Sequence, residues 1–198
     1  MGPVSTRSQH PRERTSQPRK VTAHLFSSVN GVVESPNQWQ FDAFGREEGQ
    51  LMGAVIGAVT DVIIGRRLWQ EWSEFWPGAD DPFGQFINPV RKHVVTGTLS
   101  GDLPWNSTAI DGDPVGYVRN LRDGDGGDIS VTGGIDTVRS LFLAGVIDEL
   151  TLTTHPVVTN EGRRLFDESV PITRLTLVRT QQTSKGNALL TYGLRPSD

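Results

Sequence analysis

This sequence predicts an α/β fold: a mostly parallel central sheet with helices on both faces and a C-terminal antiparallel hairpin. Three observations predict it. Extended apolar patterns alternate with helical ones four times along residues 21–155, and repeated strand–helix units build a parallel sheet covered on both sides. Glycines stand where strands give way to helices, at Gly65 and at Gly133-Gly134. The runs "ITRLTLVRTQQ" and "NALLTYGL" flank "TSKG", which is a hairpin signal.

The 198 residues suit one domain with a sizeable core. The first 20 residues stand apart: Arg7, Arg12, Arg14, Arg19 and Lys20 face one acid, Glu13, although the whole chain is −4. Rich in Pro, Ser and Gln, this stretch cannot bury enough apolar surface to order itself. The expected organisation is a disordered basic tail over 1–20 and a single domain over 21–198. With no aromatic residue in the tail and an acidic body, a nucleic-acid partner is not expected. No apolar run reaches the ~18 residues of a membrane span, and the start lacks the apolar stretch of a secretory signal. Neither a membrane partner nor export is expected. The absence of cysteine excludes disulfides, thiolate nucleophiles and Cys-ligated metals, and it points to a cytoplasmic home. His10, His24, His93 and His155 have no metal-ligand spacing, so structural roles are expected for them.

In chain order, "VTAHLFSSVNGVVE" reads as a strand running into a turn at Asn30-Gly31, its weak alternation fitting a strand covered on both faces. A loop follows, "SPNQWQFDAFG". In "REEGQLMGAVIGAV", Leu51, Met52, Val55, Ile56 and Val59 form one helical stripe behind the acids Glu47 and Glu48. Gly49, Gly53 and Gly57 weaken that helix, a cost that close packing against the sheet or a partner would offset. "DVIIG" is a short buried strand and "RRLWQEW" the helix after it. His93 to Thr96 is a strand closing in a Thr-Gly-Thr turn, and "WNSTAI" is another short strand. Asp113-Pro114 opens a helix. "ISVT" leads through Gly133-Gly134 into a helix ending at Ala144, with Gly145 as its C′ residue. The strand "VIDELTLTTHPVV" precedes the hairpin.

Ligands of such sheets lie beyond the carboxyl ends of the strands, and three strand ends suit a nucleotide. Gly65-Arg66-Arg67-Leu68 combines a helix start with two guanidiniums, either an anion site or a solvated basic pair. Thr96-Gly97-Thr98 offers hydroxyls for a ribose or phosphate, and alone is only a turn signal. Gly133 and Gly134 would let a pyrophosphate touch bare backbone at the helix beginning near Ile135. Asp136 in its first turn would compete with that anion unless its side chain turns away. The G-x-G-x-x-G, Walker A and G-x-S-x-G patterns are absent.

Together these residues resemble the dihydrofolate reductase-like superfamily, and within it the branch of the riboflavin-biosynthesis reductase C-terminal domain and its stand-alone relatives. The resemblance spans 21–195. It is carried above all by "VTGGIDTVRSLFLAGVIDELTLTTHPVVTNEGRRLF", with "SSVNGVV", "DVIIGRRLW" and "VVTGTL" in order upstream. It implies an NADPH-dependent reductase, commonly a homodimer. Gly65, Arg66, Arg67 and Leu68 match the segment holding the adenosine-side phosphates, and Thr96, Gly97 and Thr98 the turn near the adenine ribose. Gly133, Gly134, Ile135 and Asp136 match the loop beneath the pyrophosphate. Ser28, Asn30 and Gly31 match the strand end near the nicotinamide. Gly97 stands where a Lys or Arg is frequent, which leaves NADH open as a cofactor; Asn30 replaces a frequent Asp, and Asn160 a usual glycine.

The expected reaction is hydride transfer from reduced nicotinamide to a small heterocyclic or carbonyl substrate. Asp42 is the acid that the resemblance puts nearest the proton to be supplied, unless it only caps a helix beginning near Ala43; Glu47 and Glu48 are weaker candidates. Trp39, Phe41 and Phe44 could form an aromatic wall for a flat substrate, or close the core. The alternative is a dinucleotide-binding dimer without turnover, a sensor or scaffold.

Overall fold

The structure is a computed structural model and describes residues 18–195. Among these, β1 (Val21–Ser28), β2 (Val59–Gly65), β3 (Arg91–Val95), β4 (Asp102–Leu103), β5 (Ser107–Ile110), β6 (Asp128–Gly133), β7 (Glu149–His155), β8 (Leu175–Gln182) and β9 (Ala188–Leu194) form one sheet. Its spatial order is β4-β5-β3-β2-β6-β1-β7-β9-β8. The strands from β5 across to β7 are parallel. β4 at one edge and the β8–β9 hairpin at the other are antiparallel. The helices are α1 (Arg46–Ile56), α2 (Arg66–Phe75), α3 (Pro82–Ile87), α4 (Pro114–Arg122) and α5 (Ile135–Leu143).

The connections β1–β2 and β2–β3 step one way across the sheet, whereas β5–β6 and β6–β7 step back. Right-handed crossovers therefore send their helices to opposite faces. Two cores result. Ile63, Val131, Val21 and Leu150 pack under Val118 of α4 and Leu141 and Phe142 of α5. Val62, Ile64 and Val94 pack under Trp69 of α2 and Ile87 of α3. Successive residues of β2 thus feed opposite cores, as the two-residue strand period requires.

Several boundaries move from the sequence reading. α1 stops at Ile56, and Val59 already opens β2. Gly49 and Gly53 have nothing within 4 Å of where a Cβ would stand, so no close-packed face repays their cost. Helix α3 is an element beyond those expected; Asp81 caps it by accepting from the N–H groups of Phe83 (2.9 Å) and Gly84 (3.2 Å). That is the same Asp-Pro start that announced α4, where Asp113 accepts from Val115 and Gly116, both at 2.9 Å. β4 is likewise additional. It returns into β5 through Trp105 and Asn106, at φ +61° and +48°, a turn without the glycine that would signal it.

The tail boundary moves too. Residues 1–17 lie outside the described residues, but Arg19 is 5 % exposed and belongs to the domain. Its guanidinium pairs with the wholly buried carboxylate of Asp61 and donates to Thr60 Oγ1 at 2.9 Å. Asp61 also meets His93 Nε2 (2.9 Å) and Arg91 Nε (3.2 Å), and His93 Nδ1 reaches the Tyr117 hydroxyl at 2.8 Å. Burial alone would raise the Asp61 pKa; hydrogen bonds from His93, Arg19 and Thr60, with the Arg19 charge, overcome it and hold the carboxyl far below the usual carboxylate range. Lys20 pairs with Glu149 at 2.6 Å.

Candidate active site

Where neighbouring parallel strands send their helices to opposite faces, a crevice opens beyond their carboxyl ends. β2 and β6 are such neighbours, leading into α2 and α5 on opposite sides. Both turns are glycine because the two backbones touch. A Cβ on Gly65 would lie 2.9 Å from Thr137 Oγ1 and 3.2 Å from Gly134 Cα. Gly134 also has φ +84°, which L side chains rarely adopt. Gly133 is covered from elsewhere: a Cβ there would meet Leu68 Cδ2 at 2.2 Å. The glycine pair expected to lie open beneath a pyrophosphate is thus bare first for chain packing, and Leu68 fills the side on which Gly133 lacks a side chain.

What the crevice offers an anion is backbone N–H. Helices α3 and α4 carry Asp caps, but α2, starting after Gly65, and α5, starting after Gly134, have no side-chain cap. Their first-turn N–H groups have no partner within the helix, and the helix dipole favours negative charge there. Arg66 and Arg67 open α2; Arg66 Nη1 donates to Gln70 Oε1 at 3.1 Å, and Arg67 is exposed. Asp136, next to Ile135 in the first turn of α5, is turned to Arg163 Nη2 at 2.6 Å, a residue of the loop after β7. Gly65 pairs with Val95, so Thr96 follows on the same rim. Its hydroxyl accepts from Thr98 N (3.1 Å) and Leu99 N (3.2 Å), closing the turn on itself, while Gly97 faces open space.

At the ends of β1 and β7 the chemistry changes. Ser28, paired in register with His155, is buried; its hydroxyl donates to Asn30 Oδ1 (2.8 Å) and accepts from Val32 N (2.9 Å). Asn30 Nδ2 donates to Thr159 O at 2.7 Å. Asn30 therefore ties the strand end to the loop after β7, and Ser28 holds Asn30 in place. Trp39 is 5 % exposed, donates to Glu34 O at 2.9 Å, and contributes to the lining of a neighbouring cleft. A polar cleft of about 310 Å³ lies beside it, lined by Glu34, Ser35, Gln38, Thr159 and Asn160. Phe44 is 40 % exposed and stands edge-on to Phe26, centroids 5.7 Å apart. Asp42 is exposed in a turn; α1 begins only at Arg46, behind Gly45, so Asp42 caps no helix.

Under this loop lies a buried polar network that the sequence did not announce. Asn187 Nδ2, from the β8–β9 turn, donates to Glu48 Oε1 at 2.7 Å and to Ala43 O at 2.6 Å. Burial alone would raise the Glu48 pKa; hydrogen bonds from the Thr183 and Asn187 side chains and from backbone N–H groups outweigh it and hold the carboxyl low. His155 is 1 % exposed, between Phe26 (5.6 Å) and Trp39 (5.8 Å). Burial pushes its imidazole below the ordinary value, with Glu48 and Asn187 pulling the other way. The Gln40 amide Nε2 is 3.2 Å from His155 Nε2, which fits a ring protonated on Nδ1. His155 Nδ1 and Asn187 Oδ1 are both buried without a hydrogen-bond partner. Glu47 is equally engaged, accepting from Ser184 N and Oγ at 2.8 Å. Among the described residues no group of His, Asp and Glu is placed to hold a metal ion.

The RibD C-terminal domain family matches residues 19–189. The chain belongs to that family. Two Bacillus subtilis proteins are similar along nearly their whole length. YyaP is 23% identical over 179 residues, covering 88% of this chain and 94% of its own; YwjB is 25% identical over 170, covering 83% and 92%. Among solved structures, a putative riboflavin biosynthesis protein from Shewanella sp. PV-4 superposes with TM-score 0.69 at 16% identity, covering 89% of this chain and 99% of that one. A pyrimidine reductase-like protein from Corynebacterium diphtheriae does so with TM-score 0.64 at 15% identity, covering 90% and 93%. The bifunctional deaminase/reductase of Thermotoga maritima gives TM-score 0.62 at 16% identity over 90% of this chain and 57% of that one. The fold of this RibD-type domain is thus dihydrofolate reductase-like, and its family supports a reductase-type function. No described helix is long and apolar enough to cross a membrane.

Proposed function

We propose that this RibD-type domain is a stand-alone, cytoplasmic NADPH-dependent reductase, working as a homodimer on a small heterocyclic or carbonyl substrate. The observation that carries the reading is the pair of helix ends without a cap, α2 and α5, on either side of the β2–β6 crevice, whereas Asp81 and Asp113 cap α3 and α4 and Glu48 closes the start of α1. Those N–H groups suit the pyrophosphate, and Leu68, Ile135 and the glycine turns shape its floor. Arg66 and Arg67 suit the 2′-phosphate, with Thr96, Gly97 and Thr98 beside the adenine ribose. When bound, reduced nicotinamide supplies the hydride. The remaining work falls to the β1 and β7 rim, which orients the acceptor beside Phe44 and excludes water. Asp42 is the proposed proton source, because its carboxyl is exposed there while Glu48 is committed to Asn187 and Gly45.

The test is titration of the purified protein with NADPH and, separately, NADH, read by tryptophan quenching. Tight NADPH binding is expected, and the Arg66→Ala, Arg67→Ala double variant should weaken NADPH far more than NADH. Failure of either dinucleotide to bind would remove the cofactor assignment and leave the fold.

A further inference from the structure

One residue at the acceptor rim is both strained and unsupported. Phe41 has φ +47°, the left-handed region that is an outlier for a bulky residue. It is the first central residue of a turn closed by Ala43 N donating to Gln40 O at 3.0 Å, a position where positive φ calls for glycine. Its side chain is 80 % exposed, so no packing repays the strain. Trp105 makes the contrast. It too has positive φ, but its Nε1 bonds Asn88 Oδ1 at 2.9 Å and Lys92 Nζ sits 4.2 Å over its ring.

The Phe41 turn does not relax, because both its ends are fixed from below. The Gln40 side chain is held by His155, and the Ala43 carbonyl by Asn187, which is itself bonded to Glu48. Strain that surrounding structure over-determines is characteristic of ligand clamps. The turn also adjoins the edge-on and tilted aromatic cluster of Phe44, Phe26 and His155 over the ends of β1 and β7. We propose that Phe41 is the aromatic contact for a planar ring of the acceptor, presented by a turn that the Gln40–His155 and Ala43–Asn187 bonds hold strained. The proposal rests on the reductase reading, from which the acceptor's place is taken.

Phe41→Asn tests it, since Asn tolerates the left-handed conformation and lacks the ring. The probe is quinazolin-4-one, a flat uncharged heterocycle, titrated with saturating NADPH present. The variant should melt about 2 °C or more above the wild type, keep its NADPH affinity, and bind the probe about tenfold more weakly. A lower melting temperature would make the ring structural and overturn the proposal. So would probe binding that is equal in both proteins, or absent from both. Dissociation of a dimer in the variant, read by light scattering, would assign Phe41 to a self-interface and overturn it equally. Loss of NADPH binding by the wild type would instead sink the reductase reading, so the two failures are distinguishable.

Discussion

Gly133 of β6 and Leu68 of α2 occupy one another's space: the Leu68 methyl sits 2.2 Å from where a Gly133 Cβ would be. The two βα turns at the switch point are therefore one packed unit. The spacing of the α2 and α5 starts is set by that contact and by the meeting of Gly65 with Gly134.

This contact predicts coupling. Gly133→Ala forces the Leu68 side chain aside and should destabilise the fold by roughly 1–3 kcal/mol. Leu68→Ala in the same chain removes the obstruction, so the double variant should lose less than the sum of the singles. A double-mutant cycle in urea should give a coupling of about 0.5–3 kcal/mol; strict additivity would show that the two residues do not meet.

Asp61 makes the second prediction. Asp61→Asn leaves Arg19 with its charge buried and its anionic partner gone, and should cost about 3–5 kcal/mol. The folded pKa is depressed, so this carboxylate's stabilisation is fully present above the unfolded value near 3.9 and is lost as pH falls towards the folded value. Wild type should therefore lose stability below about pH 4 more steeply than Asp61→Asn. Parallel acid limbs in the two chemical-denaturation series would refute this.

The third prediction concerns His24, whose Nε2 lies 2.7 Å from Thr153 Oγ1. Burial, with the neighbouring His155, pushes its pKa down to about 4 from the ordinary 6.5. The unfolded chain then takes up the proton first. Stability from neutral His24 is whole above pH 6.5 and should fall by roughly 2 kcal/mol on the way to pH 4. His24→Gln should flatten the melting temperature across that window, and an unchanged slope would mean that His24 stays solvated.

Much of the scaffold was readable because its signals are local. Asp113-Pro114 marked α4, Gly145 the end of α5, and "TSKG" the hairpin, since caps and turns are chosen by backbone conformation within a few residues. The Asp81-Pro82 start of α3 carries the same signal, but the helix behind it is a six-residue piece too short to show a periodic stripe. The engagement of Glu48 by Asn187 has no sign near Glu48, because sequence distance says nothing about which carboxyl a distant hairpin will bury. Gln40, His155 and Asn187 carried no local sign of a shared role, and neither did Phe41, whose strain exists only once its turn is held.

The sequence by itself determined the order of strands and helices apart from β4 and α3, the parallel sheet with its antiparallel hairpin, and which glycines must sit at strand ends. These follow from periodicity and from conformations open to individual residues. Tertiary structure alone decided that Gly133 faces Leu68, that Arg19 reaches Asp61, and that Asn187 joins Glu48 to the turn beneath Phe41. Each of those contacts closes a long loop, and its energy comes from burial and from polar groups left without water. Neither exists until the sheet has brought the partners together.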